Sequence, residues 1–457
     1  MDYKEIEKKY RPVPFWSWND KLNTEETILQ VNSMNDVGIG GFFMHARGGL
    51  QTEYMGKEWF ENVNAAIGAS GSVGMKPWAY DENGWPSGFG NGKVNGLGVK
   101  YQQKYLRISE HEPCENVICK CGKSWFYFEV NPYYVDVLDK EVIRKFIDAA
   151  YEPYYKKLGN DIEGFFTDEP QVSRNGIPWS FVFEKEYKER YSQNITDHLE
   201  ELFLPVQDYK NTRIKFWKMV TELFSENFFK QIYEWCDERN LKFTGHIALE
   251  ESNLSQLVTS GSCMAHYEFF HIPGMDWLGR KIFECLTPMQ VSSVAQQLGR
   301  SQVLSETFAL CGHNVSFAEL KGIFEWQMVR GINLLCQHLE GYSIRGMRKR
   351  DYPPAMYYQQ PWWKEYREFN ESMSRIGMIL SKGKVKANVL LIHPMTTAWA
   401  LYDDNQNAGI EELDKKLLQT MRTLEEKHII YHLGDEIIMK RHAYIKDDKI
   451  IIGSQEY

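Results

Sequence analysis

The 457-residue chain is poor in cysteine, has no long apolar run and has no block of a single charge. Its eight cysteines are too sparse for a disulfide framework. Cys236, Cys263, Cys285, Cys311 and Cys336 stand in apolar or helical contexts and read as buried reduced thiols. Cys114, Cys119 and Cys121 cluster, but no CxxC pair and no second ligand pair of zinc-site spacing accompanies them. The longest apolar runs, such as ANVLLIH at residue 387, fall well short of the roughly 20 residues a membrane helix needs. The N-terminal MDYKEIEKKY is charged where a signal peptide needs an apolar stretch, so a cytoplasmic chain without a membrane partner is expected. With 53 Lys+Arg against 62 Asp+Glu the formal charge is -9, and a nucleic-acid backbone would meet mostly like charge. The sequence says nothing of oligomeric state.

What is present is a globular composition, 43% hydrophobic and 25% charged, with 14% aromatic residues including 14 tryptophans. Eight short β-rich runs recur, each leading into polar residues and then a helical pattern: 13–19, 39–47, 76–85, 162–170, 242–251, 262–270, 302–310 and 333–343. Between them lie amphipathic stretches with helix signals, such as Asn23-Thr24-Glu25-Glu26 opening a helix that Gly38 closes. Eight alternating units predict an α/β chain folded as a (β/α)8 TIM barrel over residues 1–382. The interval between the fifth and sixth runs is short for a full helix, which makes that unit the weakest. The competing architecture is an open doubly wound sheet, which would gather its polar residues at one switch point.

Insertions at about 91–138, read as a hairpin excursion, and 171–210, read as loop plus helix, interrupt the period. After residue 383 the pattern restarts with KANVLLIHP, a helix, HIIYHL and KIIIGS. Residues 383–457 therefore read as the start of a partial Rossmann- or flavodoxin-like α/β domain. Its few strands predict either a fragment of a longer protein or a poorly stabilised tail.

Barrels place chemistry at the C-terminal ends of strands, and the polar residues there are mostly acids. They are Asp81 and Glu82, Asp168 and Glu169, Glu250 and Glu251, Glu268, Glu306 and Glu340. Glycosidic cleavage needs two carboxyl groups across a sugar, one protonated for the leaving oxygen and one ionised. Glu169 and Glu306 fit best, each delivered to the mouth by an apolar run, from the fourth and seventh strands. Pro170 biases Glu169 to an extended conformation. In the Tyr80–Gly88 segment, Trp85 can stack on a sugar face, and Asp81 and Glu82 can accept hydroxyl hydrogens. Trp16 and Trp18 add aromatic platforms for a carbohydrate substrate. His45 and Arg47 read equally as a hydroxyl-binding pair or as a core histidine beside a salt-bridging arginine. His246, His338 and Tyr342 also sit near strand ends.

Two other readings remain: a catalytically inactive carbohydrate-binding barrel, and a metal-dependent barrel hydrolase using His45, His246, His266 and His338. No His-x-His pair follows the first strand, and no glycine-rich phosphate loop follows the last two. No cofactor is required by these residues.

PFWSWND, MHARGGLQTEY, YDENGWPSG, GFFTDEP, SETFA and YSIRGMRKRDYPPAMYYQQPWW together resemble glycoside hydrolase family 106, whose known members are alpha-L-rhamnosidases, and its uncharacterised relatives. The resemblance runs from about residue 10 to 370 and continues at HLGDE. It implies an inverting (β/α)8 enzyme whose catalytic acid falls on Glu169 and whose base falls on Glu306, with a further acid near Glu268 and use of calcium. It also implies β-sandwich domains after the barrel, before which this chain ends.

Overall fold

The computed structural model describes residues 5–404 and 406–457. Eight parallel strands form the barrel: β1 Phe15–Trp18, β2 Gly41–Ala46, β3 Lys76–Asn83, β4 Gly164–Asp168, β5 Lys242–His246, β6 Ile272–Trp277, β7 Leu304–Thr307 and β8 Leu334–Gln337. They neighbour one another in chain order, and Glu340–Gly341, just past β8, pairs with β1 to close the ring. The open-sheet alternative is thereby excluded, because β1 has partners on both sides.

Helix caps sit where the sequence signals them. The Asn23 side chain accepts from the Glu25 and Glu26 amides, and Gly74 ends Lys57–Val73 in the left-handed conformation. Inside the barrel, Phe15, Phe43, Trp78, Tyr80, Phe166, Ile272, Leu304, Leu334 and Cys336 make one apolar plug. Successive strand residues face opposite sides, so these positions fix parity: Asp168, His246, Asp276 and Glu306 also point inward, one layer above the plug. Strands β4 and β5 approach so closely that a Cβ on Gly164 would lie 2.0 Å from the Lys242 carbonyl oxygen.

The sixth run is corrected. Met264–Tyr267, inside the stretch read as a strand, is a short helix, and the true β6 begins only at Ile272. The two insertions build one unit: Val117–Cys121, Ser124–Val135, Gln102–Ser109 and Pro178–Trp179 form a four-stranded antiparallel sheet. Beyond the last barrel helix, Tyr366–Ser381, β9 Val389–Ile392 and β10 Tyr431–Gly434 pair in parallel. Then β11 Ala443–Lys446, β12 Lys449–Ile452 and β13 Gln455–Glu456 form an antiparallel sheet. This region is not a loose tail. Gln297 Nε2 donates to the Leu433 carbonyl at 2.9 Å, and Ser293 Oγ accepts from the Leu433 amide at 2.9 Å. Trp399 Nε1 donates to the Gly261 carbonyl at 2.8 Å. No described helix is long and apolar enough to cross a membrane.

Candidate active site

A cavity of about 200 Å³ opens at the C-terminal mouth of the barrel, lined by Arg47, Trp85, Asp168, Glu169, Arg174, Asp276, Glu306, His338 and Tyr352, with Leu249, Leu278 and Ala309 between them. Strand β4 ends at Asp168, whose carboxylate accepts from Tyr80 at 2.7 Å and whose amide donates to Ser87 Oγ at 2.8 Å. The next residue, Glu169, does not stay extended as Pro170 predicts: its φ is 47°. The chain turns there, directly after Asp168 is held on both sides, and Glu169 lines the cavity. Leu249, Phe308 and Leu310, which follow β5 and β7, also have positive φ, at 54°, 84° and 62°. Such left-handed non-glycine residues cost about 1–3 kcal/mol each and persist where the surroundings over-determine them, typically at functional sites.

The two acids singled out by the sequence occupy different electrostatic settings. Burial, then the neighbouring Asp168 charge, pushes Glu169 up to about 7, against the opposing pull of His246 and Arg174. Arg174 Nη2 lies 2.9 Å from Glu169 Oε2 and is itself partly exposed. Burial also raises Glu306, but His246 works against it, with Nε2 only 2.5 Å from Glu306 Oε2 and 3.6 Å from Asp168 Oδ1. Burial alone would lower His246; the bond to Glu306 and the charges of Glu306, Asp168 and Asp276 reverse this and hold the imidazole protonated well above its usual range. Glu169 is thus suited to carry a proton near neutrality, and Glu306 has a cation pressed against it.

The structure brings Glu169, Glu306, Asp168, His246, Trp85, Arg47 and His338 to the mouth. Others named from sequence lie elsewhere. Trp16 and Trp18 have the opposite parity and are fully buried beneath the helices, so Trp85 is the one tryptophan lining the cavity. Tyr342 packs over Trp16, and its hydroxyl is tied to the Asn23 backbone. Asp81 points outward to Ser87 and Tyr151, at 2.6 and 2.7 Å. Glu82 accepts the amides of Phe89, Gly90 and Asn91. Both organise the loop that carries Trp85. Glu268 leaves the site because it follows the short helix rather than a strand; it pairs with Arg441 at 2.9 Å and His442 at 2.7 Å.

The structure places His45 and Arg47 differently. His45 is buried, stacked on Tyr80 at 3.6 Å between ring centroids, whereas Arg47 binds Asp351 through two bonds of 2.8 and 2.9 Å and still lines the cavity. Sequence reasoning missed Arg174 and Tyr352, which stand on loops, and one acid, Asp276, on β6 directly in register with Glu306. The signal that could have found it is the IPGMDW segment, whose proline and glycine masked it as a strand.

Asp168, His246 and Glu306 bring one ligand atom each within 4.8 Å of one another, the one such group of His, Cys, Asp and Glu among the described residues. Calcium takes six to eight oxygens, so this nitrogen-containing trio does not suit it. Imidazole with carboxylates is a donor set for a transition metal, but here His246 Nε2 is committed to Glu306.

No protein-family model and no curated protein matches this sequence. Solved structures do share the fold. The rhamnosidase from Novosphingobium sp. PP1Y superposes with a TM-score of 0.73 at 12% identity, over 100% of this chain and 66% of that one. A catalytic mutant of a GH42 beta-galactosidase from G. stearothermophilus gives 0.60 at 12% identity, over 95% and 67%. The beta-galactosidase from Bacillus circulans sp. alkalophilus gives 0.57 at 12% identity, over 94% and 66%. The chain thus has the barrel architecture of these glycosidases and spans about two thirds of their length.

Proposed function

We propose that the protein is a glycoside hydrolase that cleaves a terminal glycosidic bond, with Glu169 as general acid and Glu306 as the ionised partner. The observation that carries this reading is that both carboxyl groups line one small cavity while their surroundings differ: Glu169 stands beside Asp168 and pairs with the partly exposed Arg174, whereas Glu306 is pressed against the buried His246. At about 200 Å³ the cavity falls below the ~300–1,000 Å³ typical of drug-sized ligands, which suits a single sugar ring better than a chain.

In this reading a sugar enters beneath Trp85, with its glycosidic oxygen at Glu169. Proton transfer from Glu169 neutralises the departing alkoxide as the bond to the anomeric carbon lengthens. Glu306 then acts from the other side, either drawing a proton from an attacking water or attacking the anomeric carbon itself. The family resemblance favours the water route and inversion. His246 is a positioning residue: it aims Glu306 and keeps it ionised while the oxocarbenium charge develops. Asp168, next to Glu169 in the chain, opposes ionisation of Glu169 and so helps keep its proton in place for the leaving oxygen.

The sugar we propose first is alpha-L-rhamnose, supported by the motifs shared with family 106 and by shape agreement with a rhamnosidase along the whole chain. The test is a panel of nitrophenyl glycosides, alpha-L-rhamnoside first, with calcium and with chelator, beside calorimetric binding of the free sugars. Turnover of one glycoside, lost in Glu306→Gln, is expected. Sugar binding without turnover would instead establish a binding barrel. A metal-dependent hydrolase, the reading favoured by the closeness of Asp168, His246 and Glu306, requires activity that chelation abolishes and zinc or manganese restores.

A further inference from the structure

Among the acids that line the cavity, Asp276 has no assigned work. Its backbone is fixed: β6 pairs with β7 so that Asp276 stands opposite Glu306, and its amide donates to Glu250 Oε2 at 3.1 Å. Neighbouring parallel strands run about 4.8 Å apart and registered residues face the same side, so both carboxyl groups project into the mouth. The neighbouring inward position on β6 is Gly274, where a Cβ would lie 2.6 Å from the Gly245 carbonyl oxygen; the strand is pressed against β5 at that level and cannot slide.

The other inward acids have partners: Asp168 has Tyr80, Glu169 has Arg174 and Glu306 has His246. Asp276 Oδ1 is enclosed and has no hydrogen-bond partner. Leaving an enclosed oxygen unpartnered is costly, more so when it is charged, and here the cost is compounded by a second carboxyl group on the adjacent strand. Sequence reasoning would place an aliphatic residue on an inward strand position if packing were the only demand. The Asp276 side chain lines the cavity while its enclosed Oδ1 lacks a donor, and a sugar hydroxyl entering the cavity is a donor.

We propose that Asp276 is a specificity-determining residue that accepts a hydrogen bond from a ring hydroxyl of the bound sugar, next to the anomeric carbon that Glu306 serves. This rests on the hydrolase reading and deepens it. A hydroxyl bound there fills the empty acceptor and keeps the ring turned toward Glu306. A sugar without that hydroxyl leaves the oxygen buried and bare, which is how sites built around a hydroxyl reject deoxy analogues.

The test measures kcat/KM for wild type, Asp276→Asn and Asp276→Ala on the nitrophenyl glycoside the enzyme turns over and on its 2-, 3- and 4-deoxy derivatives. Circular dichroism and thermal midpoints confirm that the variants fold, and Asp276→Asn, of nearly equal volume, serves if Asp276→Ala does not. Wild type is expected to lose about 10- to 100-fold or more on one deoxy derivative, and that loss is expected to shrink to within about 3-fold in Asp276→Ala. Deoxy penalties that are the same in wild type and variants would overturn the proposal. If no glycoside is turned over, the hydrolase reading fails, and the same comparison is made on binding of the free monosaccharides and their deoxy forms by calorimetry. Absence of monosaccharide binding, or penalties unchanged by the substitution, would overturn the proposal there as well.

Discussion

Arg174→Gln isolates the ion pair that holds down the proton affinity of the proposed acid. Burial and Asp168 bring Glu169 to about 7, and Arg174 pulls the other way from 2.9 Å. At an effective dielectric of 20, two unit charges about 4 Å apart interact by about 4 kcal/mol. The Arg174 side chain is 38% exposed, so water screens the pair and the figure falls to the ~0.2–1 kcal/mol of exposed pairs. At 1.36 kcal/mol per pH unit, that corresponds to about 0.2–0.7 units. A nearby cation favours the carboxylate, so its loss lets Glu169 keep its proton to higher pH, and the basic limb of log(kcat/KM) moves up by that amount. Arg174 also lies over the Trp85 ring at 5.4 Å, so KM changes as well, and the limb position rather than the amplitude is the readout. The substrate must be an unactivated alkyl glycoside, because a good leaving group hides acid catalysis. A limb that stays in place or moves down would refute the reasoning.

His246→Asn removes the cation facing Glu306, so the acidic limb of the same profile is expected to move to higher pH; an unmoved limb would take His246 out of the positioning role. Glu268→Gln is expected to leave kcat/KM within about twofold, since its contacts with Arg441 and His442 lie outside the cavity, and a hundredfold loss would restore it to the site. Gly164→Ala forces a Cβ against the Lys242 carbonyl and is expected to cost about 1–3 kcal/mol or more, read as a fall in the denaturation midpoint; an unchanged midpoint would contradict the close approach of β4 and β5.

Seven of the eight barrel strands were legible because their apolar runs end in polar residues and are followed by helical patterns. The eighth was not, for a physical reason. IPGMDW has little β-propensity, since Gly274 answers to its contact with Gly245 rather than to strand preference, whereas SCMAHYEFF looks like a buried strand and packs as a short helix. That one exchange put Glu268 on the candidate list and left Asp276 off it. The tryptophans show a second limit. Strand residues alternate between barrel interior and helix layer, and β1 gives the interior to Phe15 and the outer face to Trp16 and Trp18. Composition does not reveal that parity; it is fixed only once the register of neighbouring strands is known. Asp81 and Glu82 were legible as important acids but not as loop supports, because their partners are the hydroxyls and amides of the segment they organise.

The central claim, that Glu169 gives its proton to the leaving oxygen, is tested most directly by the leaving-group dependence of Glu169→Gln. The rate is measured across a series of aryl glycosides whose phenols span several pKa units. The account predicts that wild type depends weakly on leaving-group pKa, and that the variant depends steeply, losing about 10²–10⁴-fold on the poorest leaving group and little on the best. Parallel lines for wild type and variant, or wild-type rates on the poorest leaving group, would contradict it.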